Sequence, residues 1–431
     1  MNAPNAVRSR CREGFILAAL LLSETALAQL TTDQVPRGRT VPAREQVQQD
    51  MEKSTLRLGP ARLLPTVLLS NAGYDNNVFG TSTNPVGDWT ATVSAGSRLL
   101  LPIGAKMYLT GDAMPSYTWY DKLASRRFFG GLYGAGLLGF FNRMSVEVDG
   151  YGSKGLTLLN SQNETEVVQT ARDGSARLEV ELSRLFSFFA GAEARRLRFD
   201  IAGSQPVGLL DVAVYDRTDG AARGGVRYRI SPVWDLSAAV EETRTEFVET
   251  SGQRDNRSTA YLLGIHYDRP KFFVNLYGGY RQARAYNGST FPSFSTGTGS
   301  CFISYFWTRT VELQVYGRRG LTYGNFVENP YYLQTRYGGG LNVQVLPRLL
   351  LRGYGEFGPD DYPVATAIAG GEVRRRDQGT TVGGGFSLLV FRKAVLTALA
   401  SRNTYSSNIP GVGRSVFRLA TGVNFQGELS R

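Results

Sequence analysis

From Leu63 to Phe425, apolar and polar residues alternate in short runs broken by turn residues. In the last run Phe417, Leu419, Thr421, Val423 and Phe425 share one parity, and Arg418, Ala420, Gly422 and Asn424 share the other. A period of two puts alternate side chains on opposite faces of a sheet, so each run predicts a strand with one apolar and one polar face.

The connections between runs also alternate. Tight ones fall at 102–104, 142–143, 183–185, 231–233, 269–270, 307–309, 346–348 and 392–393. Long ones include 75–87, 161–165, 251–256, 286–292, 324–330 and 359–376. Short turns at one end and long loops at the other are the habit of barrels that span a bacterial outer membrane. The expected fold is therefore all-β, a transmembrane antiparallel β-barrel of about eighteen strands, with sixteen as the alternative count. About ten residues per strand suffice to cross the bilayer.

Aromatic residues gather at the run ends in two groups. Phe140, Phe141, Trp234, Tyr267, Phe272, Phe306, Trp307 and Phe391 lie beside tight turns, whereas Trp89, Trp119, Tyr120, Phe128, Tyr331 and Tyr332 lie nearer the long loops. Rings of this kind are selected at the two water–lipid boundaries, so both groups are expected in interfacial belts.

Composition agrees with a barrel without identifying one. The chain is 42% hydrophobic and 20% charged, and its mean hydropathy is slightly negative at -0.20. Only every second residue of a spanning strand meets lipid, so the average stays near neutral. The 50 glycines suit close approach of neighbouring strands.

The N-terminus carries Arg8, Arg10 and Arg12, an apolar run from Phe15 to Leu22, then Ala26-Leu27-Ala28 before Gln29. This is the pattern of a secretory signal with a small-residue cleavage site, and the apolar run is too short for a spanning helix. The expected division is a signal peptide over 1–28, a polar periplasmic tail or small plug over 29–58, and a barrel over 59–431. Cys301 alone remains after cleavage and reads as a small wall residue.

If apolar positions face lipid, their neighbours face the lumen. That assigns Arg98, Arg177, Arg227, Arg229, Arg281, Arg318, Arg336, Arg352 and Arg418 inward, with the acids Glu147, Asp149, Glu179, Glu181, Glu241, Glu312 and Glu356. An arginine on the lipid face at mid-depth costs ~2–4 kcal/mol, which gives the assignment an energetic basis. Tyr277, Tyr316 and Tyr354 fall on the same inner face, where a ring can stack on a sugar or simply fill space. Six lysines among 48 basic residues leave 42 arginines. The planar guanidinium holds carboxylate or phosphate in two contacts, so such a lumen either favours anionic solutes or pairs with its own acids as a lattice.

Enzymatic signals fail. Two glycine-rich matches to the dinucleotide fingerprint, Gly134 to Gly139 and Gly150 to Gly155, precede strands rather than helices. His266, the sole histidine, has parity opposite to Tyr261, Leu263, Ile265 and Tyr267, so it turns away from lipid. No cofactor, metal set or nucleic-acid partner is expected.

The segment Ala72-Gly73-Tyr74-Asp75-Asn76-Asn77-Val78-Phe79, followed by Thr83-Asn84-Pro85-Val86-Gly87-Asp88-Trp89, resembles the opening of outer-membrane β-barrel porins found with exopolysaccharide gene clusters. The loop Asn408-Ile409-Pro410-Gly411 is compatible with it. The resemblance implies an outer-membrane role in exporting or assembling a surface exopolysaccharide. The expected partners are outer-membrane lipids, the barrel assembly machinery, an anionic polysaccharide and periplasmic polysaccharide-export components. Two further readings stay open: a general or sugar-selective diffusion porin, and a structural or assembly barrel plugged by 29–58.

Overall fold

A computed structural model describes residues 43–54, 56–160, 165–201, 211–249, 253–324, 329–368, 371–391 and 394–425. The expected signal peptide over 1–28 and half of the tail lie outside them.

The described chain opens with helix α1 (Ala43–Lys53) and a three-residue strand, β1 (Leu56–Leu58), that pairs only with the start of the next. The wall then runs β2 (Ala61–Asp75), β3 (Asp88–Ile103), β4 (Met107–Tyr120), β5 (Phe128–Phe140), β6 (Met144–Leu158), β7 (Glu166–Glu181), β8 (Phe186–Asp200), β9 (Arg217–Ser231) and β10 (Trp234–Phe247). It continues with β11 (Asn256–Arg269), β12 (Phe272–Ala285), β13 (Phe294–Phe306), β14 (Val311–Tyr323), β15 (Tyr331–Leu346), β16 (Leu349–Ile368), β17 (Gly371–Val390), β18 (Ala394–Ser407) and β19 (Arg414–Phe425). Each wall strand pairs antiparallel with the next, and β19 pairs with β2. The eighteen strands β2–β19 thus close on themselves, which removes every unpaired wall edge.

Why these sequences make strands is visible in the registers. Val240, Tyr261 and Tyr280 lie directly opposite one another on β10, β11 and β12, and all three are exposed on the outer face. Leu236 and Ile265 form a parallel exposed row nearer the tight turns. These side chains would be a large apolar surface in water, but they are the lipid-facing skin of a barrel. Trp234 and Tyr267 pair across β10 and β11 with ring centroids 4.6 Å apart and anchor its lower edge.

Two expectations are corrected. Residues 359–376 do not form a long loop: β16 and β17 are 20-residue strands that stay paired from Leu349↔Leu388 to Ile368↔Gly371, with one irregularity between Asp361 and Ala365. Beyond the bilayer the ribbon needs no apolar alternation, so its polar sequence looks like a loop. Tyr120, Phe128, Tyr331 and Tyr332 are not belt residues either, being buried at 0%, 8%, 1% and 0% exposure. Phe140 and Phe306 pair with inward Ser145 and Glu312, so they too fall on the inner face.

Tyr120 and Phe128 belong to a small core under the long loops, whereas Tyr331 packs separately with Ala283 and Phe291, and Tyr332 lies against Tyr362. The 76–87 connection folds in so that Val78, fully buried, packs with Tyr120, Phe128, Leu156 and Val168. Phe79 packs with Val167, Ile201 and Val212. Backbone bonds fix the fold-in: Val78 N–H donates to Val86 O at 2.9 Å, and Glu166 N–H donates to Val78 O at 3.0 Å.

Candidate functional site: the charged lumen

Cross-strand registers carry facing from one strand to the next, because directly opposed residues point the same way. One inner row runs Arg98, Asp112, Gly134, Tyr151, Asp173, Arg195, Asp219 around β3–β9. A second runs Glu147, Arg177, Gly191, Arg223, Glu241, Ala260, Arg281 around β6–β12. Basic and acidic residues therefore recur on successive strands along each inner row, and each row climbs from the tight-turn end of its first strand toward the loop end of its last.

Most sequence-predicted arginines meet a carboxylate. Arg177 lies 3.6 Å from Glu147, Arg227 lies 2.6 Å from Glu179, Arg229 lies 3.5 Å from Asp235, and Arg281 lies 2.6 Å from Glu241. Arg336 and Asp360 form a 2.7 Å pair, and Arg418 and Asp75 a 2.6 Å pair, both almost fully buried. Arg318 donates to Gln334. Arg352 stands opposite Asn342 and Gly385 on the inner face. Among the acids, Asp149 accepts from Ser175 at 2.6 Å, and Glu312 accepts from Ser304 at 2.5 Å and Asn342 at 2.9 Å.

Arg98 is shared. Its guanidinium lies 3.1 Å from Asp50 of α1 and 3.9 Å from Asp112 on β4, so the helix is held against the inner wall. Val47 on the same helix is 2% exposed. Burial pushes the Asp50 carboxyl above its usual range, with Arg98 and Lys53 pulling the other way.

The three predicted tyrosines have a common geometry. Tyr277, Tyr316 and Tyr354 stand directly opposite Gly264, Gly338 and Gly383, and a Cβ at those glycines would lie 2.8, 2.3 and 2.5 Å from the nearest ring atom. Each ring therefore lies down across its neighbour strand in space that only glycine leaves. Tyr151 does the same over Gly134. Tyr316 is buried with Phe273 and Phe302, which makes it part of the wall.

Arg177, Arg227, Arg229 and Tyr277 come together in one lumen cavity of ≈ 860 Å³, which Ala43 and Arg44 of α1 also line. Arg98, Arg281, Arg318, Arg336, Arg352, Arg418, Tyr316 and Tyr354 are not among its lining residues. The cavity also contains a residue that the sequence reading missed. Arg223 places its guanidinium 5.7 Å from the Phe189 ring centroid and 5.2 Å from that of Tyr277. It makes no ion pair among the described residues, and its Nε has no hydrogen-bond partner. An arginine held between two rings with its fork unused is a ready donor site for a carboxylate or phosphate. Its parity with Arg227 was the available signal.

His266 also lines this cavity, with its ring 5.3 Å from that of Phe273. No group of histidine, cysteine, aspartate and glutamate suited to a metal occurs among the described residues.

A closed eighteen-stranded antiparallel barrel with an apolar skin and a charged lumen is the architecture of an outer-membrane porin, and this chain is a bacterial outer-membrane β-barrel. Several solved barrels share the fold. Pseudomonas aeruginosa OccK2 (OpdF), solved in complex with glucuronate, is 13% identical with TM-score 0.51, covering 84% of this chain and 98% of that one. The P. aeruginosa outer membrane protein opdK is 10% identical with TM-score 0.50, over 84% and 98%. A BenF-like porin from Pseudomonas fluorescens Pf-5 is 9% identical with TM-score 0.50, again over 84% and 98%. At these identities the likeness is one of fold. No family model matches the chain, and no curated protein does.

Proposed function

We propose that the protein is a diffusion porin for small polar solutes, with a preference for anionic ones such as sugar acids. The observation that carries this reading is Arg223, an arginine with no acid partner among the described residues, stacked between Phe189 and Tyr277 in the wall of a ≈ 860 Å³ cavity. The guanidinium supplies two donors for a carboxylate, and the ring of Tyr277 supplies a face for a sugar. Arg177, Arg227 and Arg229 extend the basic lining, although their acids neutralise much of it. Support also comes from the fold neighbours, which are porins, one of them solved with a sugar carboxylate. They favour the diffusion porin over a conduit for exopolysaccharide, for which they offer nothing.

In this reading α1 is a small plug or constriction, tethered through Asp50 and Arg98. Export components and an acidic polymer are not required partners. Planar-bilayer recordings of the mature protein in a salt gradient test the proposal. Discrete open channels, anion preference, and glucuronate block that weakens in Arg223→Gln are expected. Silence even after deletion of residues 43–53 would favour a closed structural barrel, and block by a long acidic polysaccharide but not by glucuronate would favour a conduit.

A further inference from the structure

The outer face carries a second basic feature, independent of the lumen. Arg244 on β10, Arg257 on β11 and Arg284 on β12 are direct cross-strand partners, Arg244↔Arg257 and Arg257↔Arg284. They share parity with Val240, Tyr261 and Tyr280, so all three point outward. Each arginine follows or precedes its apolar partner by four residues on the loop side, roughly 13 Å along the strand and less along the membrane normal once strand tilt is included.

Three like charges opposite one another destabilise a sheet unless something neutralises them. Protein acids do so only in part. Glu246 lies 2.7 Å from Arg244, and Glu242 pairs with Arg257, but all four side chains are solvent-exposed and such pairs contribute little. Arg284 has no ion pair among the described residues. The Arg244 guanidinium is steadied over the Tyr286 ring at 4.1 Å. A row of guanidinium groups just beyond the edge of the apolar skin stands where headgroup phosphates begin.

We propose that Arg244, Arg257 and Arg284 form an external site for the phosphate of an outer-leaflet lipid headgroup. The acyl chains of that lipid would lie on Val240, Tyr261 and Tyr280 while its phosphate bridges the guanidinium forks.

The test compares lipid A with its dephosphorylated form on the purified, detergent-solubilised mature protein, by native mass spectrometry. Expected is retention of phosphorylated lipid A, reduced at least about tenfold in the triple variant R244Q/R257Q/R284Q and absent for the dephosphorylated form. Equimolar inorganic phosphate is expected not to compete. Equal retention by wild type and triple variant, or of both lipid forms, overturns the proposal. Competition by inorganic phosphate overturns the lipid as its source. Should the triple variant fail to fold, R284E alone is used: it keeps both protein ion pairs, and unchanged retention in it is equally fatal.

Discussion

Arg418 and Asp75 form a buried 2.6 Å ion pair across the seam where β19, the last strand, meets β2, the first of the wall. They are 343 residues apart in sequence. Asp75 also accepts from the backbone N–H of Asn77 at 2.6 Å, which ties the seam to the inward-folded loop.

Removing one partner of a buried ion pair costs about 3–5 kcal/mol. Asp75→Asn is therefore expected to lower the temperature at which the barrel unfolds in detergent, read as the gel shift between folded and heated forms. A double replacement by apolar residues, Asp75→Leu with Arg418→Met, is expected to recover most of the loss, because both charges are gone.

Gly338→Ala tests the flat tyrosine. The new Cβ would stand 2.3 Å from the Tyr316 ring, which is itself buried against Phe273 and Phe302, so the ring must tilt into an occupied core. Overpacking of this kind costs about 1–3 kcal/mol. Gly353→Ala, where a Cβ meets nothing within 4 Å, is the matched control and is expected to be near neutral in the same unfolding assay.

The α1 tether responds to pH in a definite direction. Burial raises the Asp50 carboxyl above its ordinary 3.8, so the docked helix holds a proton more readily than a released one. Docking is strongest below that ordinary value and weakens as pH rises through the raised one. A spin label at exposed Glu45 is expected to become more immobile on acidification from neutral pH. Asp50→Asn is expected to abolish the dependence, and greater mobility in acid would contradict the argument.

Arg254 sets the order of the loops. It donates to Val214 O at 2.7 Å, Pro330 O at 3.4 Å and Gly324 O, with its guanidinium 4.3 Å from the Phe247 ring centroid. Burial lowers its pKa to about 10, so it stays charged at neutral pH. Arg254→Met is expected to raise hydrogen exchange in 211–216, 253–255 and at Asn329 while the wall strands remain protected. Uniform exchange across barrel and loops would show a different role.

How much of this was legible follows from what the bilayer demands. Where a strand crosses lipid, the alternation of Tyr261, Leu263 and Ile265 against His266 is enforced, and facing, turns and the count of eighteen could be read. Arg223 sits among Ala221, Ala222, Gly224 and Gly225, where no apolar neighbour marks the outer face until Val226, so only its parity with Arg227 told its side. The β16–β17 ribbon and the buried Tyr120 and Tyr332 lie above the lipid, where the rule lapses. Partners such as Asp75 for Arg418 depend on barrel closure, which no local window contains.

The tyrosines lying over glycines imply that the bore of the barrel is written partly in residues that have no side chain. Wherever a strand opposite an inward ring offers hydrogen in place of a methyl group, the ring lies flush and the lumen gains width. Substitution at those few silent positions reshapes the lumen without touching a single charge.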